Sequence, residues 1–128
     1  MTLVLDSGGV SALAGQRARL EELRRRNLWP PVVPAVVLTE ALTGDHRRDH
    51  AANQVLRLCI VRPVDEPTAR DAARLRAGTG RPAEVSAVDA IVAAVAIASP
   101  DPIVLTSDPV DLSSLVQVSN VSVRIART

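Results

Sequence analysis

The segment Thr2-Leu3-Val4-Leu5-Asp6-Ser7-Gly8-Gly9 begins with a short, mainly apolar run and ends with four residues that favour a turn. This pattern predicts a buried strand at residues 2–5 whose carboxyl end opens into a loop. Further apolar runs predict strands at residues 32–33, 60–64, 103–106 and 121–125. Apolar residues at helical spacing, or helix start signals, predict helices between them, at residues 10–27, 35–42, 50–58, 68–77 and 86–98.

Strands and helices therefore alternate along a chain of 128 residues. This alternation predicts the α/β class, as a three-layer α/β/α sandwich with a mainly parallel central sheet. The length fits a single domain that spans residues 1–128. The helix predicted at residues 86–98 is almost wholly apolar, so we expect it to lie at the centre of the domain.

The composition excludes several classes of function. All 15 basic residues are Arg, and the absence of Lys excludes a P-loop and a pyridoxal enzyme, since both need that amine. Trp29 is the single aromatic residue, so single-stranded nucleic acid cannot be held on a platform of stacked rings. The net charge of +1 is too balanced to indicate a nucleic-acid binder by itself. Cys59 is the single cysteine, which excludes a disulfide framework and a cysteine zinc site.

No stretch of the sequence has the pattern of a membrane span or a signal peptide. The most apolar stretch, residues 85–98, carries Asp89 and is too short to cross a bilayer. An unpaired cysteine suits a reducing compartment. We therefore expect a cytoplasmic protein that makes no membrane contact.

Four acidic residues stand in apolar surroundings or at the ends of predicted elements: Asp6, Glu40, Asp89 and Asp108. Each of them has a purely structural explanation. Asp6 fits an Asx turn, and Asp108 fits the N-cap of a helix. Asp89 fits a capping box that begins at Ser86, and Glu40 fits the exposed face of its helix.

Taken together, the four acids favour a shared site. Asp6 and Asp108 each follow a predicted strand, and the carboxyl ends of parallel strands border the ligand-binding crevice of an open sheet. If Glu40 and Asp89 border the same crevice, four carboxylates meet there, and like charges at close range need a compensating cation. Oxygen ligands suit Mg²⁺ or Mn²⁺, which lowers the pKa of a bound water and stabilises charge during displacement at a phosphate.

The acids lie in four short motifs, followed by Asp111-Leu112: Leu3-Val4-Leu5-Asp6-Ser7, Val37-Leu38-Thr39-Glu40-Ala41, Val88-Asp89-Ala90-Ile91-Val92-Ala93-Ala94 and Leu105-Thr106-Ser107-Asp108. In order, spacing and predicted context these motifs resemble the PIN-domain ribonucleases. The resemblance is strongest to the VapC-type toxins of bacterial toxin–antitoxin pairs, and it runs over essentially the whole chain.

This resemblance implies a PIN-like fold and a metal-dependent endoribonuclease that leaves a 5′-phosphate and a 3′-hydroxyl. By the family's pattern, Asp6 and Asp89 would be the principal ligands of Mg²⁺ or Mn²⁺. Glu40 and Asp108 would hold the ion or its waters and help to activate the nucleophile.

Three further residues take supporting roles by the same resemblance. Asp111 would be an auxiliary catalytic acid, and Thr106 would position neighbouring carboxylates by hydrogen bonding. The family commonly has a polar partner beside the first acid, and here only Ser7 stands there, which is a departure from the family's pattern. Leu112 departs from the family, which often has an aromatic residue at that position, and the departure concerns packing.

The resemblance also implies an RNA substrate, a homodimer, and a small cognate antitoxin that inserts a helix or tail over the acidic site. Exposed apolar helix surface near residues 10–28 or 36–42 would suit such contacts. Two other functions stay open. One is a catalytically silent PIN-like module that binds RNA or protein, and the other is a related flap-type DNA nuclease, because nothing in the sequence reads the 2′-hydroxyl.

Other candidate residues have weaker support. The Arg runs at residues 24–26 and 47–48 would suit either RNA phosphates or solvated helix faces. His46 and His50 have the spacing of zinc ligands on a helix, but no third ligand accompanies them, so we expect surface residues. Cys59 lies in an apolar stretch and is expected to pack as a small hydrophobic side chain.

Overall fold

The computed structural model describes residues 1–128 and contains five strands, seven α-helices and one short 3-10 helix. The strands are β1 (Thr2–Leu5), β2 (Val32–Pro34), β3 (Ile60–Arg62), β4 (Pro102–Thr106) and β5 (Arg124–Arg127). The α-helices are α1 (Ser7–Leu13), α2 (Arg17–Arg25), α3 (Leu38–Ala41), α4 (His50–Leu56), α5 (Glu66–Gly78), α6 (Ala87–Ile97) and α7 (Pro109–Val116). The 3-10 helix (Ala35–Val37) leads directly into α3.

All five strands are parallel and form one sheet in the order β3-β2-β1-β4-β5. The central strand β1 pairs with β4 along its whole length, with Leu5 opposite Leu105. Strands β2 and β3 follow on one side of β1, and strands β4 and β5 follow on the other side. The strand order therefore changes direction between β1 and β4. Ligands bind at such a switch point, outside the carboxyl ends of the strands. The parallel α/β sandwich predicted from the sequence is confirmed.

Aliphatic side chains fill the core, as the near absence of aromatic residues requires. The central helix is α6, in which Ala90 and residues 92–96 are buried. The alanines of α6 let α5 and the sheet approach its backbone closely, so the core is dense without large rings. No helix of the structure has both the length and the apolarity needed to cross a membrane.

The helix predicted at residues 10–27 is in fact two helices, α1 and α2. The first begins earlier than predicted, at Ser7, because the Asp6 side chain accepts a hydrogen bond from the Gly9 N–H and caps it. The break between the helices contains Gly15, which adopts a left-handed φ of 71°. The apolar spacing does not reveal this break because it continues from one helix into the next.

Other element boundaries shift by a few residues. The helix predicted at residues 35–42 is the 3-10 helix followed by the four-residue α3. Strand β3 ends at Arg62, before Pro63, which cannot donate to a ladder. Strand β5 occupies Arg124–Arg127 rather than residues 121–125. These shifts leave the predicted alternation of strands and helices intact.

Gly9 lies at a close approach of α1 to the sheet. A Cβ at this position would lie 2.5 Å from the Leu105 carbonyl oxygen and 3.3 Å from the side chain of Leu5. We expect Gly9→Ala to lower the free energy of unfolding by about 1–3 kcal/mol, because the backbone of β4 must shift. Urea denaturation measures the effect, and the exposed Ser11→Ala on the same helix should change it by less than about 0.5 kcal/mol. A Gly9→Ala variant as stable as the parent would contradict this account of the contact.

Candidate metal centre

Two acids follow the carboxyl ends of the two central strands. Asp6 comes directly after β1, and Asp108 lies two residues after the end of β4. The Asp6 N–H donates to the Leu105 carbonyl at 3.5 Å, so the pairing of the strands continues up to the acid itself. Both residues therefore lie at the switch point of the sheet.

Asp6 is almost fully buried, with 5% of its surface exposed. One carboxylate oxygen accepts a hydrogen bond from the Gly9 N–H at 2.8 Å, and the other accepts one from the Thr106 hydroxyl. The same hydroxyl oxygen accepts a hydrogen bond from the Asp108 N–H at 2.8 Å. Thr106 therefore fixes the Asp6 side chain and the backbone of Asp108 relative to each other.

The acids also stand at the beginnings of helices. Asp6 caps α1, and Asp108 caps α7 by accepting from the Asp111 N–H at 3.4 Å. Asp89 lies in the first turn of α6, where its N–H donates to the Ser86 hydroxyl at 3.0 Å. These capping roles do not exclude ligand binding, because a carboxylate keeps further lone pairs after one hydrogen bond. The positive ends of three helices offset part of the repulsion among the acids.

Asp89, Asp108 and Asp111 form a carboxylate cluster, in which one oxygen of each side chain lies within 4.8 Å of the others. Oxygens bound to one Mg²⁺ at about 2.1 Å are at most about 4.2 Å apart, so small side-chain rotations would bring these three onto one ion. All three residues are half-buried, and every donor atom is a carboxylate oxygen. The donor set fits a hard divalent cation such as Mg²⁺ or Mn²⁺.

The pKa of Asp89 is raised to about 6, chiefly because burial disfavours its charged form. The negative charges of Asp108, Asp6 and Glu40 act in the same direction, and the hydrogen bond with Ser86 opposes them. Glu40 is exposed on α3, yet its effect on Asp89 shows that it lies within electrostatic reach of the carboxylate cluster. A cation bound by the cluster would relieve this repulsion.

Arg81 is the one cation within ion-pair distance of these acids. Its guanidinium lies 3.7 Å from the Asp111 carboxylate and 3.1 Å from that of Glu84, and it donates to the Ser114 hydroxyl at 3.4 Å. The sequence analysis missed Arg81 because it belongs to the loop between α5 and α6 and carries no local motif. Its guanidinium balances part of the negative charge at one edge of the carboxylate cluster.

Not all of the acids predicted for the site belong to the carboxylate cluster. Asp6 and Glu40 lie outside the group that could share one ion, whereas Asp111 is part of it, although the family pattern gives Asp111 a lesser role. Ser7 begins α1 directly after Asp6. Asp111 joins the group because α7 begins right after Asp108, so its first turn places both side chains at the same helix end.

Asp49 is a further buried acid, and the sequence analysis did not single it out. Its carboxylate accepts hydrogen bonds from the Thr43 N–H and hydroxyl, both at 2.8 Å, and from the Gly44 N–H at 3.0 Å. These hydrogen bonds, above all the one from the Thr43 N–H, hold the pKa of Asp49 below its usual value. Both carboxylate oxygens are engaged within the loop, so we interpret Asp49 as a structural residue.

The remaining candidates lie outside the carboxylate cluster. His46 and His50 are exposed, which agrees with their prediction as surface residues. Cys59 is half-buried against the core, and burial raises the pKa of its thiol to about 11, so it is protonated at neutral pH. The Arg run at residues 24–26 forms ion pairs with acids on its own helix, which favours a solvated helix face.

Residues 3–114 match the PIN domain, so the chain belongs to the PIN-domain family, and the resemblance predicted from the four motifs is confirmed. Two solved structures share the fold. The first, FitAcB from Neisseria gonorrhoeae, is 22% identical over 96% of each chain, with a TM-score of 0.63. The second, FitAB bound to an IR36 DNA fragment, is 20% identical over 98% of this chain and 94% of that one, with a TM-score of 0.64. No curated protein sequence matches this chain.

The raised pKa of Asp89 predicts how stability depends on pH in the metal-free protein. The folded state holds this proton more tightly than the unfolded chain, in which the pKa is near 3.8. Ionised Asp89 therefore destabilises the fold above about pH 6, and the penalty fades as the pH falls toward about 4. The full difference corresponds to about 3 kcal/mol, which screening of a half-exposed group reduces to about 1–2 kcal/mol.

We accordingly expect Asp89→Asn to be more stable than the parent by that amount near neutral pH in excess chelator, and equally stable near about pH 4. Urea denaturation at both pH values measures the difference. Asp71→Asn is the matched control, because Asp71 is exposed and pairs with Arg74 on α5. A gain in stability of the same size at both pH values would contradict the interpretation that Asp89 has a raised pKa in the folded protein.

Thr106→Val keeps the shape of a fully buried side chain and removes the hydroxyl between Asp6 and Asp108. We expect a loss of about 1–3 kcal/mol in stability, because a buried carboxylate oxygen loses its donor. We also expect about 10- to 100-fold weaker Mn²⁺ binding in an equilibrium titration, because the acids are no longer oriented. Thr106→Ser restores the hydroxyl and should recover most of the affinity. Unchanged Mn²⁺ affinity in Thr106→Val would exclude the positioning role.

Proposed function

We propose that this chain is a Mg²⁺- or Mn²⁺-dependent endoribonuclease, and that it is the toxin of a toxin–antitoxin pair of the VapC type. The observation that carries the proposal is the carboxylate cluster beside the buried Asp6, in a chain of the PIN-domain family. Carboxylates packed this closely repel one another unless a cation compensates them. A purely structural role gives no reason to hold them together.

When bound, a divalent ion would lower the pKa of a coordinated water and stabilise the charge that develops on the phosphate. Asp89, Asp108 and Asp111 would hold it through their carboxylate oxygens. Asp6 would support the site from its buried side with its negative charge, where its hydrogen bonds keep it in place. Glu40, on the exposed side, would accept the proton of the attacking water.

The protein partners we propose are a small antitoxin and a second copy of the chain. A cleft of about 420 Å³ between α4 and the turn that joins α1 to α2 supports the proposal of an antitoxin partner. It is lined by the apolar side chains of Leu20, Val55 and Leu58 and by Arg17 and Arg57. This combination suits an acidic amphipathic segment that lays its apolar face into a groove. The homodimer rests on the resemblance to the VapC-type toxins.

The test is to incubate the purified protein with total cellular RNA and Mn²⁺ or Mg²⁺, and to map new 5′-phosphate ends by sequencing. We expect discrete ends from the parent protein and none in excess chelator. Asp89→Asn should cleave at least about 100-fold more slowly, because it removes an anionic ligand of the ion that stabilises the transition state. The matched control Asp71→Asn should cleave like the parent, because this acid is exposed on α5 and pairs with Arg74.

Each alternative function gives a different result. A folded protein that binds Mn²⁺ but creates no ends in RNA is a silent binding module. FitAB is bound to a DNA fragment, so single-stranded and branched DNA are included as substrates. Cleavage of DNA without cleavage of RNA identifies a DNA nuclease. Cleavage of RNA that survives Asp89→Asn or excess chelator removes the metal-dependent mechanism.

A further inference from the structure

A charged cleft of about 290 Å³, here called the arginine cleft, lies between α2 and the carboxyl ends of β4 and β5. Its charged lining consists of Arg19, Arg26 and Arg127 together with Glu22. Leu105 and other leucines form an apolar part of the wall. None of the acids of the carboxylate cluster lines it, so the arginine cleft is a separate feature of the surface.

The side chains that line the arginine cleft carry more positive than negative charge. Glu22 is its one acidic side chain, and it pairs with both Arg25 and Arg26, at 2.7 and 2.8 Å. Arg19 donates to a backbone carbonyl at 3.2 Å, and Arg127 pairs with no Asp or Glu. The guanidinium groups of Arg19 and Arg127 therefore keep hydrogen-bond donors for an external anion. The guanidinium of Arg26 is paired with Glu22, which also pairs with Arg25.

The arginine cleft adjoins the candidate metal centre through the strand pair β4–β5. Arg127 lies opposite Thr106 in this pairing, and the Thr128 N–H donates to the Thr106 carbonyl at 3.0 Å. The hydroxyl of the same Thr106 holds the Asp6 carboxylate. Neighbouring strands lie about 4.8 Å apart, so the backbone at Arg127 lies one strand away from that of Thr106, although the Leu105 and Thr106 side chains point to opposite faces of the sheet.

A nucleic-acid strand has to be attracted to a centre whose own side chains repel it. The carboxylate cluster, Asp6 and Glu40 all carry negative charge when ionised, and Arg81 is the single cation paired with any of them. Arginine contacts to phosphates supply most of the non-specific affinity for nucleic acid and fix the position of the strand. A chain with Trp29 as its single aromatic residue cannot obtain that affinity by stacking bases.

We propose that the arginine cleft binds a phosphodiester of the nucleic-acid strand on which the protein acts. The inference rests on the proposed nuclease function for the identity of the strand. Guanidinium groups form two parallel hydrogen bonds with phosphate oxygens, and Arg19 and Arg127 have donors available for them. A nucleic-acid strand is favoured over an acidic protein segment because a strand must approach the centre that Thr106 organises, and the backbone of Thr106 pairs with that of Arg127 in the cleft. Contacts to phosphate alone predict binding without base preference at this position.

Fluorescence anisotropy with a labelled single-stranded RNA of mixed sequence tests the proposal. The full chain carries Asp89→Asn in every sample, so that the probe is not cleaved. Adding Arg127→Gln or Arg19→Gln should weaken binding about 3- to 10-fold near 0.1 M salt, and should lower the slope of log affinity against log salt by about 0.7 for each phosphate that the arginine no longer neutralises. The control Arg70→Gln, an exposed residue paired with Glu66 on α5, should leave both values unchanged.

Thermal unfolding establishes that the variants are folded, as expected for substitutions of two exposed side chains. Unchanged RNA affinity and salt slope in both variants would overturn the proposed role of the arginine cleft and leave the nuclease proposal intact. The cleft is also overturned if the variants bind RNA normally but release a co-expressed protein partner, since it is then a protein-docking surface. If the variants lose RNA affinity in a protein that proves not to cleave RNA, the cleft is supported and only the nuclease function fails.

Discussion

The Thr106 hydroxyl joins the two central strands of the sheet at the edge where the acids meet. It donates to the buried Asp6 carboxylate and accepts from the Asp108 N–H, linking residues 100 positions apart along the chain. Burying a carboxylate oxygen without a donor costs about 1–3 kcal/mol, so the hydrogen bond from Thr106 stabilises Asp6 at this buried position. The start of α1, the start of α7 and the carboxylate cluster are all positioned relative to this contact. The carbonyl of Thr106 accepts a hydrogen bond from the N–H of Thr128, a residue that lines the arginine cleft.

The acids at this edge serve the fold as well as the proposed chemistry. Asp6 and Asp108 each use one oxygen to cap a helix, and Asp89 lies where the positive end of α6 favours negative charge. These local gains make each acid tolerable by itself. Together the acids repel one another, and the raised pKa of Asp89 reflects its burial and, to a lesser extent, that repulsion. Holding these acids together costs the metal-free fold stability, as commonly happens where side chains are placed for function rather than for packing.

The acids could be predicted because each lies in a local pattern of its own, at a strand end or in the first turn of a helix. The order and spacing of these patterns then made the family predictable. The break at Gly15 was missed because apolar spacing continues across it. Arg81 and Asp49 were missed for a different reason. Arg81 reaches Asp111 only after the loop before α6 is folded against α7, and Asp49 is engaged by the N–H groups of an irregular loop. No periodicity or motif encodes contacts of that kind.

The sequence by itself determined the α/β class, the aliphatic core, the absence of lysine-dependent chemistry and the set of acids from which a metal centre can be built. These properties follow from composition and from patterns a few residues long. The tertiary structure decided which acids come together, that Asp111 belongs to the carboxylate cluster, and that arginines from α2 and β5 meet in one cleft. Those outcomes depend on strand order and helix packing, because parallel crossovers bring distant residues within a few ångströms of each other.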